Sequence, residues 1–215
     1  MAEKLRIYVA ATADLEPYRS IIGHVLAHLP VQIGAEIRRC PPQGASYDDL
    51  FERISNVDRF YFLLGKDITA PAGTEWDLAT RLQRTIIPFR RRNPITPSGF
   101  LFLTQAILQI PFSHWRFFET GADLARQAAL ELITTLLHPE NRYGLTTAEV
   151  LLLEQRRQAI GAGLWPRPED LPSDVIEEGG VILDARPELD NPLSPLPVFD
   201  KSDESSSPAP YRPLD

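Results

Sequence analysis

The chain has 215 residues, 43% of them apolar, with 22 Lys and Arg against 29 Asp and Glu for a net charge of −7. That is room for one domain of ordinary size with a real core, plus an appendage. A single cysteine, Cys40, excludes disulfides within the chain and a cysteine-based zinc site. Charge divides unevenly: residues 165–215 hold four basic and twelve acidic side chains and ten of the twenty prolines, while the first 164 are close to neutral. The composition predicts a globular body over residues 1–138, a flanking helix over 139–164, and a mostly disordered acidic, proline-rich tail over 165–215.

The body reads as alternating strands and helices. Residues 5–11 predict a first strand, followed by the small residues Ala11, Thr12 and Ala13. Asp14 is placed to cap a helix with Pro17 in its first turn and an inner face of Ile21, Ile22, Val25, Leu26 and Leu29. Residues 31–37 predict a second strand. Pro41, Pro42 and Gly44 then form a loop, and Ser46 caps a helix lined by Leu50, Phe51 and Ile54. Residues 60–64, the apolar run Phe-Tyr-Phe-Leu-Leu, predict a third strand buried on both faces. The Gly, Pro, Lys and Asp that follow, over residues 65–73, are loop chemistry. Thr74 and Asp77 have the spacing of a capping box, which predicts a helix over residues 75–84 with Glu75 and Asp77 in its first turn. A fourth strand over residues 85–89 closes on Arg90, Arg91 and Arg92, which could hold a phosphate at the strand ends but read more simply as a solvated basic turn. Residues 97–110 fit a hydrophobic helix or a buried strand, with length favouring helix. Residues 113–118 predict a fifth strand, 121–137 an amphipathic helix, 146–160 a further helix, and 180–183 a short extended segment.

Five such alternations predict an α/β fold: a flavodoxin-like, doubly wound five-stranded parallel sheet of order 2-1-3-4-5 with an extra C-terminal helix. In that order the winding reverses between the first and third strands, and ligands bind at the strand tips flanking the reversal. Those tips carry Thr12 and Asp14 on one side, and Gly65, Lys66 and Asp67 on the other, with Thr74, Glu75 and Asp77 close behind. His24 and His28 share a helix face but lack the glutamate of a zincin motif, so no metal site is expected. P-loop, nucleophile-elbow and dinucleotide-fingerprint strings are absent from the sequence. The near-neutral body and acidic tail argue against a nucleic-acid partner. Residues 100–112, the most apolar stretch, are too short to span a bilayer. The N-terminal residues lack the pattern of a signal peptide, so the cytoplasm is the expected location.

The opening RIYVAATADLEPYR and the block VDRFYFLLGKDITAPAGTEWDLATRLQRTIIPF together resemble a Rossmann-like domain found beside signalling NTPases, related to TIR domains and nucleoside 2-deoxyribosyltransferases. The resemblance covers residues 5–137. It implies binding of a small-molecule nucleotide and cleavage of an N-glycosidic bond, in NAD or a nucleoside as substrate, within signalling or defence. The catalytic carboxylate would be Glu75 or Asp77. In the Gly-Thr-x-x-Glu pattern Asp77 stands at the acidic position, and Glu75 is the nearby glutamate. Thr12, Asp14, Gly65, Lys66, Asp67 and Thr74 would bind substrate, with no cofactor required. The alternative expectation is a non-catalytic interaction module whose acidic tail engages a basic protein partner. Core burial is the default expectation for the apolar segment around residues 101–110, and assembly as a homo-oligomer through it is the alternative that the resemblance implies.

Overall fold

Apart from the exposed Arg6, residues 5–11 are apolar on both sides of the strand period, so this segment needs cover on both faces. The computed structural model, which describes residues 3–41, 44–140 and 142–165, supplies that cover. The elements run β1 (Leu5–Ala11), α1 (Arg19–Ala27), β2 (Ala35–Arg38), α2 (Tyr47–Ser55), β3 (Arg59–Leu64), α3 (Ala70–Arg81), β4 (Ile86–Arg91), α4 (Pro97–Gln109), β5 (Arg116–Phe118), α5 (Gly121–Leu136) and α6 (Thr147–Gly161). A 3-10 turn over Ala13–Tyr18 precedes α1. The five strands form one all-parallel sheet of order β2-β1-β3-β4-β5, the architecture expected from the alternation.

Side chains leave the sheet alternately, making two cores. Ile7, Val9, Tyr61, Leu63 and Phe89 pack with α1, α5 and α6 on one face. Tyr8, Ala10, Phe60, Phe62 and Leu64 pack with α2, α3 and α4 on the other. Trp76 of α3 anchors the second core, edge-on to Phe62 and Phe102 and stacked on Trp115. The flanking helix α6 joins the first core through Leu153 and Ile160. These residues lie within one compact unit of the chain. The acidic tail and the expected extended segment at 180–183 lie outside the described residues. No helix among the described residues is long and apolar enough to cross a membrane.

Four local expectations are corrected. The second strand starts at Ala35 rather than 31, and three of its four residues are exposed, as suits an edge. Asp14 caps no α-helix: it sits in the 3-10 turn and bonds across to β3. Helix α3 starts at Ala70, not residue 75, with Thr69 at its N-cap and Pro71 in its first turn, where a missing N–H is harmless. Thr74 is therefore inside the helix, its hydroxyl donating to the Ala70 carbonyl at 3.0 Å, and no capping box with Asp77 exists. Finally, β4 continues through Arg91, so Arg90 is a strand residue only 5% exposed rather than part of a solvated turn.

Candidate functional site

At the tips of β1 and β3 the chain is tied by short polar side chains. The Thr12 hydroxyl donates to Asp14 Oδ1 at 2.8 Å and accepts the Gly65 N–H at 2.9 Å, while the Lys66 N–H donates to Asp14 Oδ2 at 2.8 Å. A β-carbon on Gly65 would stand 2.1 Å from an Asp14 carboxylate oxygen, so only glycine permits this approach. Thr12, Asp14, Gly65 and Lys66 are thus brought together as expected, but their polar groups are spent largely on one another. Asp67 is tied to α4: its Oδ1 accepts from Ser98 Oγ at 2.6 Å and from the Ile68 N–H at 2.8 Å. Hydrogen bonds from Ser98 and Thr96 hold its carboxyl below the usual range.

The two candidate carboxylates part company on α3. Asp77 faces solvent and pairs with Arg81 one turn on, at 2.9 Å. Glu75 shares the buried stripe with Ala72, Trp76 and Ala79, at the spacing of an inward helix face. A carboxylate thus occupies a position where the helix period calls for an apolar side chain. Glu75 has 0% exposure, accepts a hydrogen bond from the Tyr8 hydroxyl at 2.8 Å, and leaves its second oxygen buried with no partner. Burial pushes its carboxyl up to about 7, against the lowering by the Tyr8 hydrogen bond and the Arg19 charge. Burial and the adjacent Glu75 together push the Tyr8 phenol up as well. The Tyr8 ring is fixed by parallel stacking on Phe60, centroids 5.3 Å apart.

A cleft of about 450 Å³ opens at the C-terminal ends of β1 and β2 and the start of α3. Glu16, Arg19, Cys40, Thr69 and Pro71 contribute to its walls. A second cleft, of about 710 Å³, shares Ala13, Glu16 and Arg19 with it and extends to Arg39. Arg19 is anchored beneath, donating to the Val9 carbonyl at 2.8 Å and the Ala11 carbonyl at 3.4 Å, and it pairs with Glu16 at 2.8 Å. The charges of Arg19 and Glu16, both in the cleft wall, also act on Glu75. Cys40 is half-buried, and burial raises its thiol, with Glu75 adding to the effect.

Tyr8, Glu16, Arg19 and Cys40 are the site residues that sequence reasoning missed. Glu16 and Arg19 carried a signal, since residues three apart at a helix start commonly pair. Tyr8 carried none, because its partner is 67 residues away. His24 and His28 stack on α1 with ring centroids 4.0 Å apart, and no group of three metal-binding side chains occurs among the described residues.

No protein-family model matches the chain, and no curated protein matches it either. Among solved structures, the chain is similar to an NADH:FMN oxidoreductase in its apo form, with 10% identity, a TM-score of 0.33, and coverage of 78% of this chain and 92% of that one. A likeness of that size carries no conclusion about chemistry.

Proposed function

We propose that this chain is a nucleotide-binding domain of the TIR and deoxyribosyltransferase type that cleaves the N-glycosidic bond of NAD or a nucleoside, with Glu75 as the working carboxyl. The observation that carries the reading is Glu75 itself: wholly buried, one oxygen held by Tyr8, the other unpartnered, and within the field of Arg19 and Glu16, which line a cleft at the strand tips. An unpaired buried oxygen is costly, and such groups in native folds call for an explanation in function or in a bound group. In the sheet's topology this is also the edge where ligands bind.

The chemistry follows from charge. As the bond from the anomeric carbon to the base nitrogen breaks, its electron pair leaves with the base and positive charge develops on the sugar. An ionised Glu75 stabilises that charge or bonds to the anomeric carbon directly; water then supplies the hydroxyl and releases a proton. With Tyr8 holding one oxygen, the free one is the atom turned to this task. Glu75 is wholly buried, so this chemistry requires a local opening that brings the anomeric carbon to it.

Incubating the protein with NAD and with a panel of nucleosides, then separating products by chromatography, tests the reading. Wild type is expected to release free base. Glu75→Gln is expected to lose the activity by about 100-fold or more, whereas Asp77→Asn retains it, because Asp77 is paired with Arg81 on the opposite side of the helix. Base release that is equal in wild type and Glu75→Gln would refute the assignment.

One feature favours the rival reading of an interaction module. Phe100, Leu101 and Leu108 on α4, with Phe112 just beyond it, are each more than half exposed. Contiguous apolar side chains of that kind mark contact surfaces. A chain that turns over no glycoside and sediments as a concentration-dependent oligomer, becoming monomeric on Leu101→Lys and Leu108→Lys, fits the module instead.

A further inference from the structure

We propose that the C-terminal tip of β4 forms a second site, separate from the Glu75 cleft, that binds a phosphate-type oxyanion alongside the hydrogen-bonded pair of Arg90 and Asn93, through the guanidinium and the free Asn93 side-chain N–H. Arg90 is 5% exposed, yet among the described residues no carboxylate forms an ion pair with it. Its Nη1 donates to Asn93 Oδ1 at 2.6 Å and its Nη2 to the Asn93 carbonyl at 2.9 Å, both neutral acceptors. The nearest acting negative charge is Asp14, whose carboxylate is already engaged by the Thr12 hydroxyl and the Lys66 N–H.

A buried guanidinium without a counter-charge is a large unpaid desolvation cost. Burial accordingly pulls the Arg90 guanidinium below its usual range, with Asp14 opposing the effect. The residue that holds Arg90 has an orphan of its own: Asn93 Nδ2 is buried and has no acceptor. Two donor groups that lack an acceptor of full negative charge therefore sit side by side, and a tetrahedral oxyanion supplies acceptors to both.

The position supports a ligand rather than a packing accident. Arg90 is level with Leu64 in the sheet, at the end of its strand, where parallel sheets place their ligands. The adjoining loop is fixed, since the Thr96 N–H donates to the Lys66 carbonyl at 2.8 Å and a β-carbon on Gly99 would meet that same carbonyl at 2.8 Å. Lys66, on the neighbouring loop after β3, is exposed and adds positive charge to the approach.

The test is titration of the full chain with inorganic phosphate and, separately, with AMP, followed by calorimetry and thermal unfolding. Wild type is expected to bind phosphate and to gain Tm with it. Asn93→Asp places a carboxylate against Arg90, so it is expected to raise Tm without phosphate and weaken phosphate binding at least about tenfold, equivalent to about 1.4 kcal/mol. Arg90→Met removes the cation and is expected to abolish binding. AMP binding tighter than phosphate assigns the site to a nucleotide phosphate; equal affinity assigns it to free phosphate. Absence of any phosphate effect in wild type, or binding unchanged in Asn93→Asp, overturns the proposal. Neither readout requires turnover, so the outcome is independent of the activity assigned to Glu75.

Discussion

Gly65→Ala is expected to lower the free energy of unfolding by about 3 kcal/mol, the loss of two hydrogen bonds to a charged acceptor. The added methyl would lie 2.1 Å and 2.2 Å from the two Asp14 carboxylate oxygens. Asp14 is the side that yields, because a carboxylate can rotate away while the β3 backbone is fixed in the sheet. Its departure breaks the bond to the Lys66 N–H, which joins the two strand tips, and the bond from the Thr12 hydroxyl that holds Asp14 in place. A double-mutant cycle isolates the cause: in an Asp14→Ala background the same Gly65→Ala change is expected to cost less than about 1 kcal/mol, since the clash has gone. Urea unfolding of the four proteins measures this. Equal costs in both backgrounds would mean that the strand tips are held by something else.

The second large effect is in the pH dependence of stability. The Glu75 carboxyl is raised from 4.5 to about 7 in the folded chain, so between those values the folded state holds a proton that the unfolded state has lost. Stability from this group is complete below pH 4.5, declines as pH rises, and is gone above about pH 7, a swing of roughly 3 kcal/mol. Glu75→Gln keeps an acceptor for Tyr8 and never ionises. Its stability relative to wild type is therefore expected to rise by roughly 3 kcal/mol between pH 4.5 and pH 8. The other charges facing Glu75, on Arg19 and Glu16, and the Cys40 thiol are common to both proteins and cancel in the difference. A difference that stays flat over this range would place Glu75 in water.

The sheet was legible because its signals are local and repeated: short apolar runs closed by glycine or charge, each followed by a helical stripe. The alternation gave a parallel sheet, and its order matches the commoner doubly wound arrangement for five strands. The start of α3 was not legible, because the sequence from Gly65 to Gly73 mixes Gly, Pro and Asp as a loop does, while Pro71 in fact opens the helix. That error made Thr74 a cap and put Glu75 and Asp77 on an equal footing. With the helix started at Ala70, the spacing of Ala72, Glu75, Trp76 and Ala79 alone separates a buried carboxylate from an exposed one. Arg90 was misread for a different reason. Three consecutive arginines look solvated, and only the return of Asn93 onto the strand tip shows that one of them is buried.

The account depends most on Glu75 being a covered, proton-holding carboxyl gripped by Tyr8. Carbon-13 NMR of the glutamate side-chain carboxyls, with Glu75→Gln identifying the resonance, measures its titration in the intact chain. The account predicts a midpoint near 7 that moves higher in Tyr8→Phe, where the donor that favours the ionised form is lost. A midpoint near 4.5, unmoved by Tyr8→Phe, would contradict it.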